Sequence, residues 1–366
     1  MPNILLLQAF PSMILCLLIF PWVLLSWKCS GFSPSLQSQP TLFPLMKAST
    51  SKDLLVTENR LPVQNIDQEQ RHLRFSGVGR LYTSESTTNK EQKAVTSSQL
   101  APHLETIERL AAATVTVVGL GGVGSWAAEA LCRSGIGNIV LIDLDDICIS
   151  NTNRQLHATS STVGQLKLDE MERRLSDINP QCNITLIHDF ISKENVNAIL
   201  DSCGNTTGVL DAMDGMIEKT ALLAACVERR IPIVTCAGAA GRKDPTKIVV
   251  EDLVRVEYDR LLASCRKSLR KSYNFERGLS PIEARRPGRR QRKWGIQAVY
   301  STEAPKSICS GDNTSPLRRC DGPMGTACFV TGTFGFVAAS RMVEMIANDK
   351  LVKPRKQPRR LTAGEK

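Results

Sequence analysis

The sequence predicts an α/β fold of the Rossmann-like type, a mainly parallel sheet with helices on both faces. Five short runs rich in β-branched residues predict buried strands, over residues 113–119, 138–143, 183–190, 206–214 and 231–238. Helical patterns separate most of them, over residues 123–134, 163–178 and 216–230. Strands that alternate with helices imply parallel pairing through right-handed crossovers.

Length, net charge and cysteine content exclude only a few classes of protein. The chain has 366 residues, enough for one large or two modest domains, and its formal net charge is +10. This basic balance suits a polyanionic partner, and a solvated basic tail explains it equally well. The 12 cysteines include no Cys-x-x-Cys pair, which argues against a zinc ribbon and a compact disulfide scaffold. Most are expected to be buried thiols in a reduced compartment.

The N-terminal part has the composition of a targeting region. Residues 4–27 carry no charge and are long enough to span a bilayer, so 1–30 is predicted to be a signal or transmembrane segment. Residues 31–70 are rich in Ser and Pro and predict a disordered or transit-like linker. The expected location is therefore a membrane or an organelle. A plastid presequence and an anchor in the mitochondrial outer membrane fit equally well.

The rest of the chain divides by composition. Residues 71–262 are predicted to form a nucleotide-binding domain, and 263–298 to form a mobile basic insertion. Residues 299–350 complete the catalytic domain, with a packed closing helix expected within 322–349. A basic tail follows over 351–366.

A glycine loop locates the predicted nucleotide site. Gly119, Gly121, Gly122 and Gly124 follow the first predicted strand and open a helix, whose first amides can hold phosphate oxygens. Asp143 ends the second strand, 24 residues after Gly119, and is suited to ribose hydroxyls. NAD and ATP both remain open at this point.

The residues downstream favour ATP. Asn151, Arg154 and Gln155 follow Asp143 closely, and a guanidinium can bind phosphate oxygens in a bidentate manner. The pyrophosphate of NAD is already bound by the helix amides, so an added arginine is more useful to a triphosphate. The sequence offers two further charged groups for ATP and Mg²⁺. They are Lys167, which could bridge the β- and γ-phosphates, and Asp211, which could carry Mg²⁺ through its carboxylate. Taken alone, a solvated helix lysine and an ordinary strand-end aspartate explain these two residues.

Several segments resemble a known family. GLGGVGSWAAEAL, IDLDDICISNTNRQ and VGQLKLDEM are similar to the ubiquitin-activating-type superfamily of adenylating enzymes, the ThiF-like proteins. Within it, GVGSWAAEALCRSGIG, NTNRQLHA, STEA and TGTFGFVAAS resemble the tRNA threonylcarbamoyladenosine dehydratases. The similarity covers about residues 71–348 without the basic insertion, and it identifies 71–262 as an ATP-binding adenylating domain.

The resemblance implies a role for each matching residue. The four glycines form the nucleotide loop, Asp143 binds ribose, and Asn151, Arg154 and Gln155 contact phosphates. Lys167 stabilises the reacting phosphates and Asp211 positions Mg²⁺. RHLRFSGVGRLY matches a leading segment whose arginine crosses the interface of a homodimer, and Arg80 is the candidate. The implied reaction is ATP-dependent dehydration of threonylcarbamoyladenosine next to the anticodon of tRNA, through carboxylate adenylation and release of AMP.

Two departures and several alternatives accompany this interpretation. Protein-activating members of the superfamily often carry paired Cys-x-x-Cys zinc ligands, which this chain lacks, and Ala298 stands where bacterial dehydratases tend to have Cys. Cys226 and Cys236 are expected to be buried rather than catalytic. The alternatives are an activator of a ubiquitin-like or sulfur-carrier protein, a membrane-tethered nucleotide-binding scaffold and, last, an NAD oxidoreductase. A sulfur-transfer or redox partner protein also remains open.

The basic stretch is predicted to contact tRNA. Lys and Arg bind phosphates without reading sequence. Tyr273, Phe275 and Trp294 lie among the cations and could stack on bases. A solvated loop and an anionic membrane surface are the competing interpretations. The cations concerned are Arg266, Lys267, Arg270, Lys271, Arg285, Arg286, Arg289, Arg290, Arg292 and Lys293.

Overall fold

A seven-stranded sheet organises the part of the chain that this computed structural model describes. The described residues are 63–83, 102–279, 286, 288, 292–305 and 325–357, and all of them belong to one unit, Asn59–Lys366. The predicted membrane segment within 1–30 and the linker up to residue 62 lie outside them. So do much of the basic stretch between 280 and 291 and the end of the basic tail.

Each strand and helix predicted from the sequence is present. The strands are β1 Thr114–Val118, β2 Asn138–Asp143, β3 Asn183–His188, β4 Gly208–Asp211, β5 Ile233–Cys236, β6 Ile248–Asp252 and β7 Gln297–Ser301. The helices are α1 Val63–Leu81, α2 Pro102–Ala112, α3 Gly124–Arg133, α4 Lys167–Ile178, α5 Val196–Ser202, α6 Met216–Arg229, α7 Arg260–Ser272 and α8 Cys328–Ala347. The strands β6 and β7 and the helices α1, α2, α5 and α7 were not predicted.

The sheet has the order β3-β2-β1-β4-β5-β7-β6. Neighbouring strands pair in parallel except β6 and β7, which are antiparallel. This confirms the predicted fold class. The order in which successive strands are added reverses between β1 and β4. Ligands of open α/β sheets bind at the carboxyl ends of the strands beside such a point. At the other extreme, β3 is an edge strand and is only half-buried, so the expectation of a fully buried strand was wrong there.

The closing helix α8 belongs to the core. Phe334, Ala338 and Met342 are fully buried, and Gly335 lets the helix approach the backbone of Val123 at the start of α3. Among the described residues α8 is the one helix long and apolar enough to cross a membrane, but 61% of its most apolar window is buried inside the protein. We therefore assign it to the core, as predicted for 322–349.

The linker boundary was predicted too far along the chain. Helix α1 begins at Val63, so residues 63–70 are helical and do not belong to the linker. The helix is fixed by Phe75, which lies against Gly135 after α3. Arg71 and His72 both contact Glu108 of α2, at 3.1 and 2.8 Å.

The basic insertion also departs from the prediction. Instead of a mobile segment from residue 263, helix α7 runs over Arg260–Ser272. Phe275 and Trp294, expected to stack on bases, are buried against each other with ring centroids 4.8 Å apart. They are core residues, because removing two large aromatic side chains from water stabilises the folded chain. Tyr273 is half-buried.

Candidate nucleotide site

The glycine loop lies at the carboxyl end of β1, and its shape requires glycine at two positions. Gly119 has a φ of +85°, in the left-handed region that other residues rarely adopt. A Cβ atom on Gly124 would lie 1.7 Å from the carbonyl oxygen of Gly119, so no larger residue fits there. A Cβ on Gly121 would meet no atom within 4 Å. The loop thus presents open backbone at the start of α3, where a helix favours an anion.

Asp143 is fixed directly against this loop. Its Oδ2 atom accepts a hydrogen bond from the backbone N–H of Leu120 at 2.6 Å, and its Oδ1 atom accepts one from Asp145 at 2.8 Å. The residue is 7% exposed. Two backbone donors fix the carboxylate in the position predicted for the ribose-binding group.

Lys167 is not a solvated helix lysine. It is the first residue of α4, and its side chain is 6% exposed. Its Nζ atom lies 2.6 Å from Oδ2 of Asp145 and 3.9 Å from Oδ1 of Asp143. The ammonium is therefore held beside the predicted ribose carboxylate. Asp145 was missed, although it is a second acidic residue just after the strand.

Arg154 lies against the glycine loop. A Cβ on Gly122 would be 3.3 Å from the Cγ atom of Arg154, and the guanidinium donates to the carbonyl oxygen of Ser150 at 2.7 Å. Trp126 Nε1 and Thr331 Oγ1 both donate to the carbonyl oxygen of Arg154, at 3.0 and 3.3 Å. The TGTFGF motif that contains Thr331 thus contributes to the site by fixing the backbone of this arginine.

Three neighbours of Arg154 are buried. The Oδ1 atom of Asn151 accepts a hydrogen bond from Cys148 N at 3.0 Å, which stabilises the turn. The Oε1 atom of Gln155 is buried without a partner among the described residues, as expected of a group that awaits a ligand. His157, which was not predicted as a site residue, has its Nε2 atom 2.9 Å from the carbonyl oxygen of Leu120. Burial lowers the pKa of His157, so the ring is neutral and donates from Nε2.

Asp211 is on the other side of the loop and is completely buried. Its Oδ2 atom lies 2.7 Å from Nζ of Lys219 and accepts a hydrogen bond from Thr235 at 2.7 Å. Its Oδ1 atom accepts one from Met213 N at 3.2 Å. Lys219 was missed because a lysine on the apolar face of a helix gives no local signal of its partner. The described residues contain no group of three or more His, Cys, Asp or Glu that could hold a metal ion, so the magnesium role of Asp211 stays a prediction.

Arg80 lies away from this chain's own loop. Leu81 and Tyr82, which follow it, line a surface pocket with Ser340 and Glu344 in the second half of α8. Thr331, which touches the glycine loop, is about 13 Å further towards the start of that helix at 1.5 Å per residue. Arg80 itself is exposed. The single chain therefore does not bring it together with the other predicted site residues.

The cysteines near the sheet are not arranged as nucleophiles. Cys226 and Cys236 are buried, as predicted, and burial raises the pKa of both thiols, that of Cys236 to about 12. Ala298 is fully buried in β7. The STEA motif is structural, because Glu303 accepts hydrogen bonds from the backbone of Lys243 and Asp244 at 3.0 and 2.9 Å.

This geometry agrees with the similarity of the chain to known proteins. The ThiF family model matches residues 96–363. The chain belongs to the ThiF family. Among relatives within this family, it is 40% identical over 279 residues to a tRNA threonylcarbamoyladenosine dehydratase of Haemophilus influenzae, over 76% of this chain and 94% of that protein. It is 39% identical over 280 residues to the dehydratase of Escherichia coli, over 74% and 92% of the two chains.

Solved structures of the E. coli ThiF-family dehydratase share the fold. The complex with AMP aligns with a TM-score of 0.61 at 37% identity, covering 76% of this chain and 95% of that one. The complex with ATP aligns with a TM-score of 0.60 at 36% identity and the same coverage. The fold is therefore shared with a dehydratase whose solved structures contain AMP or ATP.

Proposed function

We propose that this chain catalyses the ATP-dependent dehydration of threonylcarbamoyladenosine in tRNA, next to the anticodon, by closing a ring within the modified nucleoside. The observation that carries the proposal is the grouping of Asp143, Arg154 and Lys167 around an open glycine loop. The similarity to dehydratases over three quarters of the chain supports the same reaction. Cys226 and Cys236 do not supply the reactive cysteine that the alternative, a carrier-protein activator, needs, because both thiols are buried and protonated.

The proposed reaction joins the threonyl carboxylate to the adenylyl group of ATP. The carboxylate oxygen bonds to the α-phosphorus and pyrophosphate leaves. The carbamoyl side of the same nucleoside then attacks the activated carboxyl carbon, and AMP leaves as the ring closes. The nucleoside thereby loses one water in total. Activation is necessary because hydroxide is a poor leaving group.

Each site residue has a task in this scheme. The amides of Gly121 and Gly122 and the start of α3 bind phosphate, and Asp143 binds the ribose. Arg154 and Lys167 offset the charge that develops on the departing pyrophosphate. Magnesium supplies further charge neutralisation when bound. Asp211 would hold it through its Oδ1 atom, which accepts one hydrogen bond from Met213 N, because its Oδ2 atom is bound to Lys219 and Thr235.

A homodimer is part of the proposal. Phe329 and Phe336 of α8 and Leu81 after Arg80 are at least half exposed, and such an apolar surface favours a protein partner. In a two-fold dimer Arg80 would reach the partner's phosphates. Mixing Arg80→Ala with Arg154→Ala tests this, because heterodimers then contain one intact site. Recovery of roughly a quarter of the wild-type rate is expected. Failure of the mixture to exceed either variant alone contradicts Arg80 acting across an interface.

Residues 4–27, outside the described part of the chain, are proposed to target it to a membrane or an organelle. Their uncharged length supports this assignment. Sequencing the N-terminus of the native protein distinguishes a cleaved signal from a retained anchor. A native chain that starts within residues 1–3 and fractionates without membranes would contradict both.

The reaction is tested by nucleoside mass spectrometry. The full chain is incubated with ATP, Mg²⁺ and tRNA that carries threonylcarbamoyladenosine, and the nucleosides are analysed. We expect loss of one water from that nucleoside with release of AMP and pyrophosphate. Arg154→Ala should lower the rate by at least about 100-fold, since it removes a donor to developing charge. Arg133→Ala, at the far end of α3, is the control and should keep the wild-type rate. An unchanged nucleoside together with an adenylated carrier protein would overturn the proposal.

A further inference from the structure

Helix α7 presents cations that the nucleotide site does not use. Its 13 residues include five basic and no acidic ones. The helix buries Leu262, Cys265 and Leu269, and it leaves Arg260, Lys267 and Lys271 exposed. Separations of seven and four residues place the three on one side of a helix. No described residue forms an ion pair with any of the three. We call them the α7 stripe.

The two other cations of α7 serve the fold. Arg266 donates to the carbonyl oxygen of Leu253 at 3.1 Å, and Arg270 lies over the ring of Trp294 at 5.2 Å from its centroid. Since Trp294 is fully buried, this contact fixes the rotation of the helix about its axis. The α7 stripe therefore faces solvent because the opposite side is anchored. The sequence alone could not separate the two groups of cations.

The start of α7 is fixed at the nucleotide edge of the sheet. Asp259 caps the helix by accepting a hydrogen bond from Leu262 N at 2.8 Å, and it pairs with Arg242 at 2.8 Å. Both side chains of that pair are 2% exposed. A Cβ on Gly238, just beyond the carboxyl end of β5, would lie 3.8 Å from Asp259 Oδ2. Thr235 of β5 pairs with Asp211 of the site. Arg260 is thus close to the edge where the reaction takes place.

We propose that the α7 stripe binds the phosphate backbone of tRNA and guides the modified nucleoside to the nucleotide edge. The inference rests on the proposed function for its substrate. At 1.5 Å per residue, Lys267 and Lys271 lie about 10 and 16 Å along the helix from Arg260. Three cations that pair with no described residue and lead away from the site match a polyanion whose charges repeat along its length. Such contacts give affinity and salt dependence without sequence readout.

The test uses the double variant Lys267→Gln/Lys271→Gln of the full chain. Binding of tRNA that carries threonylcarbamoyladenosine is measured by fluorescence anisotropy without ATP, over a series of salt concentrations. We expect Kd to rise about tenfold at low salt. The slope of log K against log salt should become shallower by about 1.4 to 1.8, for two lost phosphate contacts. The variant Lys267→Arg/Lys271→Arg should restore both values.

The matched control is Arg133→Gln/Lys350→Gln, which removes the same charge. Arg133 ends α3 and Lys350 follows α8, helices whose first residues lie at the glycine loop, so both cations are at the opposite edge. Both are exposed. The control should keep the wild-type Kd and slope. Equal losses in the control and in the stripe variant would show a general charge effect and overturn the proposal.

Two further measurements separate the outcomes. With ATP, the stripe variant should raise KM for tRNA and keep kcat, because the residues that contact nucleotide are intact. Binding is measured without turnover, so absence of dehydration by the wild-type chain would refute the proposed function and leave the binding result readable. Vesicles of phosphatidylcholine with about 30% phosphatidylserine test an anionic membrane instead. A stripe variant that binds tRNA normally and loses only vesicle binding would overturn the assignment to tRNA.

Discussion

The two sides of the glycine loop carry similar groups in opposite arrangements. On the β2 side, Asp143 is bound by backbone amides and Lys167 lies 3.9 Å away, with Asp145 as its half-exposed partner. On the β4 side, Asp211 and Lys219 form a completely buried pair at 2.7 Å. Each side thus has a carboxylate at the end of a strand next to β1 and a lysine on the following helix.

The different exposure of the two ion pairs, Lys167–Asp145 and Lys219–Asp211, suits them to different roles, ligand binding and support of the fold. The ammonium of Lys167 pairs with a carboxylate that water already solvates, so it can contact phosphate without leaving a charge buried. Lys219 cannot leave Asp211 in the same way, because an uncompensated charge in the interior is costly. The β2 side therefore offers its charges to a ligand. On the β4 side the Oδ2 contacts of Asp211 with Lys219 and Thr235 fix the shape of the loop, and only its Oδ1 atom is left for the proposed Mg²⁺.

The largest expected effect comes from breaking the buried pair. Lys219→Met leaves Asp211 without its counter-charge and should reduce the free energy of unfolding by about 3 to 5 kcal/mol. Urea denaturation followed by circular dichroism measures this loss. The double variant Asp211→Leu/Lys219→Met removes both charges and should regain most of the stability while remaining inactive. A single variant as stable as the wild type would show that the pair is not part of the framework.

The open pair should behave in the opposite way. Lys167→Ala is expected to lower kcat by about 100-fold or more, which corresponds to about 3 kcal/mol of lost charge stabilisation. Stability should change by less than about 1 kcal/mol, because its partner Asp145 can be solvated. Steady-state kinetics and urea denaturation of one preparation give both values. Lys247→Ala removes another exposed pair, with Asp244 at 3.8 Å, and serves as the control. A loss of stability without a loss of kcat would reverse the distinction.

The loop between the two sides provides a smaller, steric test. Gly124→Ala places a Cβ 1.7 Å from the carbonyl oxygen of Gly119, so the loop must move. We expect a loss of about 2 kcal/mol in stability and at least about tenfold weaker binding of ATP. Gly121→Ala meets no atom within 4 Å and should change stability by less than about 0.5 kcal/mol. Calorimetry of ATP binding and thermal unfolding compare the two. Equal effects of the two variants would show that the close approach of Gly124 to the carbonyl oxygen of Gly119 does not determine the conformation of the loop.

The same contrast explains how much the sequence could predict. The glycine spacing, the strand-end carboxylates and Arg154 are encoded locally, so the sequence could predict that these groups lie close to the loop, while their roles in binding ATP stay predictions. Asp145 and Lys219 act through partners 22 and 8 residues away, and their pairing depends on how helices pack on the sheet. Sequence patterns do not give that packing.

The basic stretch was mispredicted for a related reason. Its many cations hide the apolar residues Leu262, Cys265 and Leu269, which recur at helical spacing and bury α7. Trp294 is separated from that helix by more than twenty residues, yet it packs beneath Arg270. Composition therefore indicated an exposed loop where long-range packing produces a helix with one charged side.

The smallest expected effect concerns His157, whose ring contacts the carbonyl oxygen of Leu120 in the loop. Burial lowers its pKa below the ordinary value of 6.5, so the unfolded chain binds a proton more readily than the folded chain. This residue therefore contributes stability above about pH 6.5, and that contribution is lost as pH falls towards the lowered folded-state pKa. One proton limits the slope to about 1.4 kcal/mol per pH unit. His157→Gln can still donate to Leu120 and does not titrate. Between pH 7 and 5 the free energy of unfolding of this variant should therefore fall less than that of the wild type, by at most about 1.4 kcal/mol per pH unit. Urea denaturation across that range measures the difference. Parallel curves for wild type and variant would show that His157 does not couple the loop to pH.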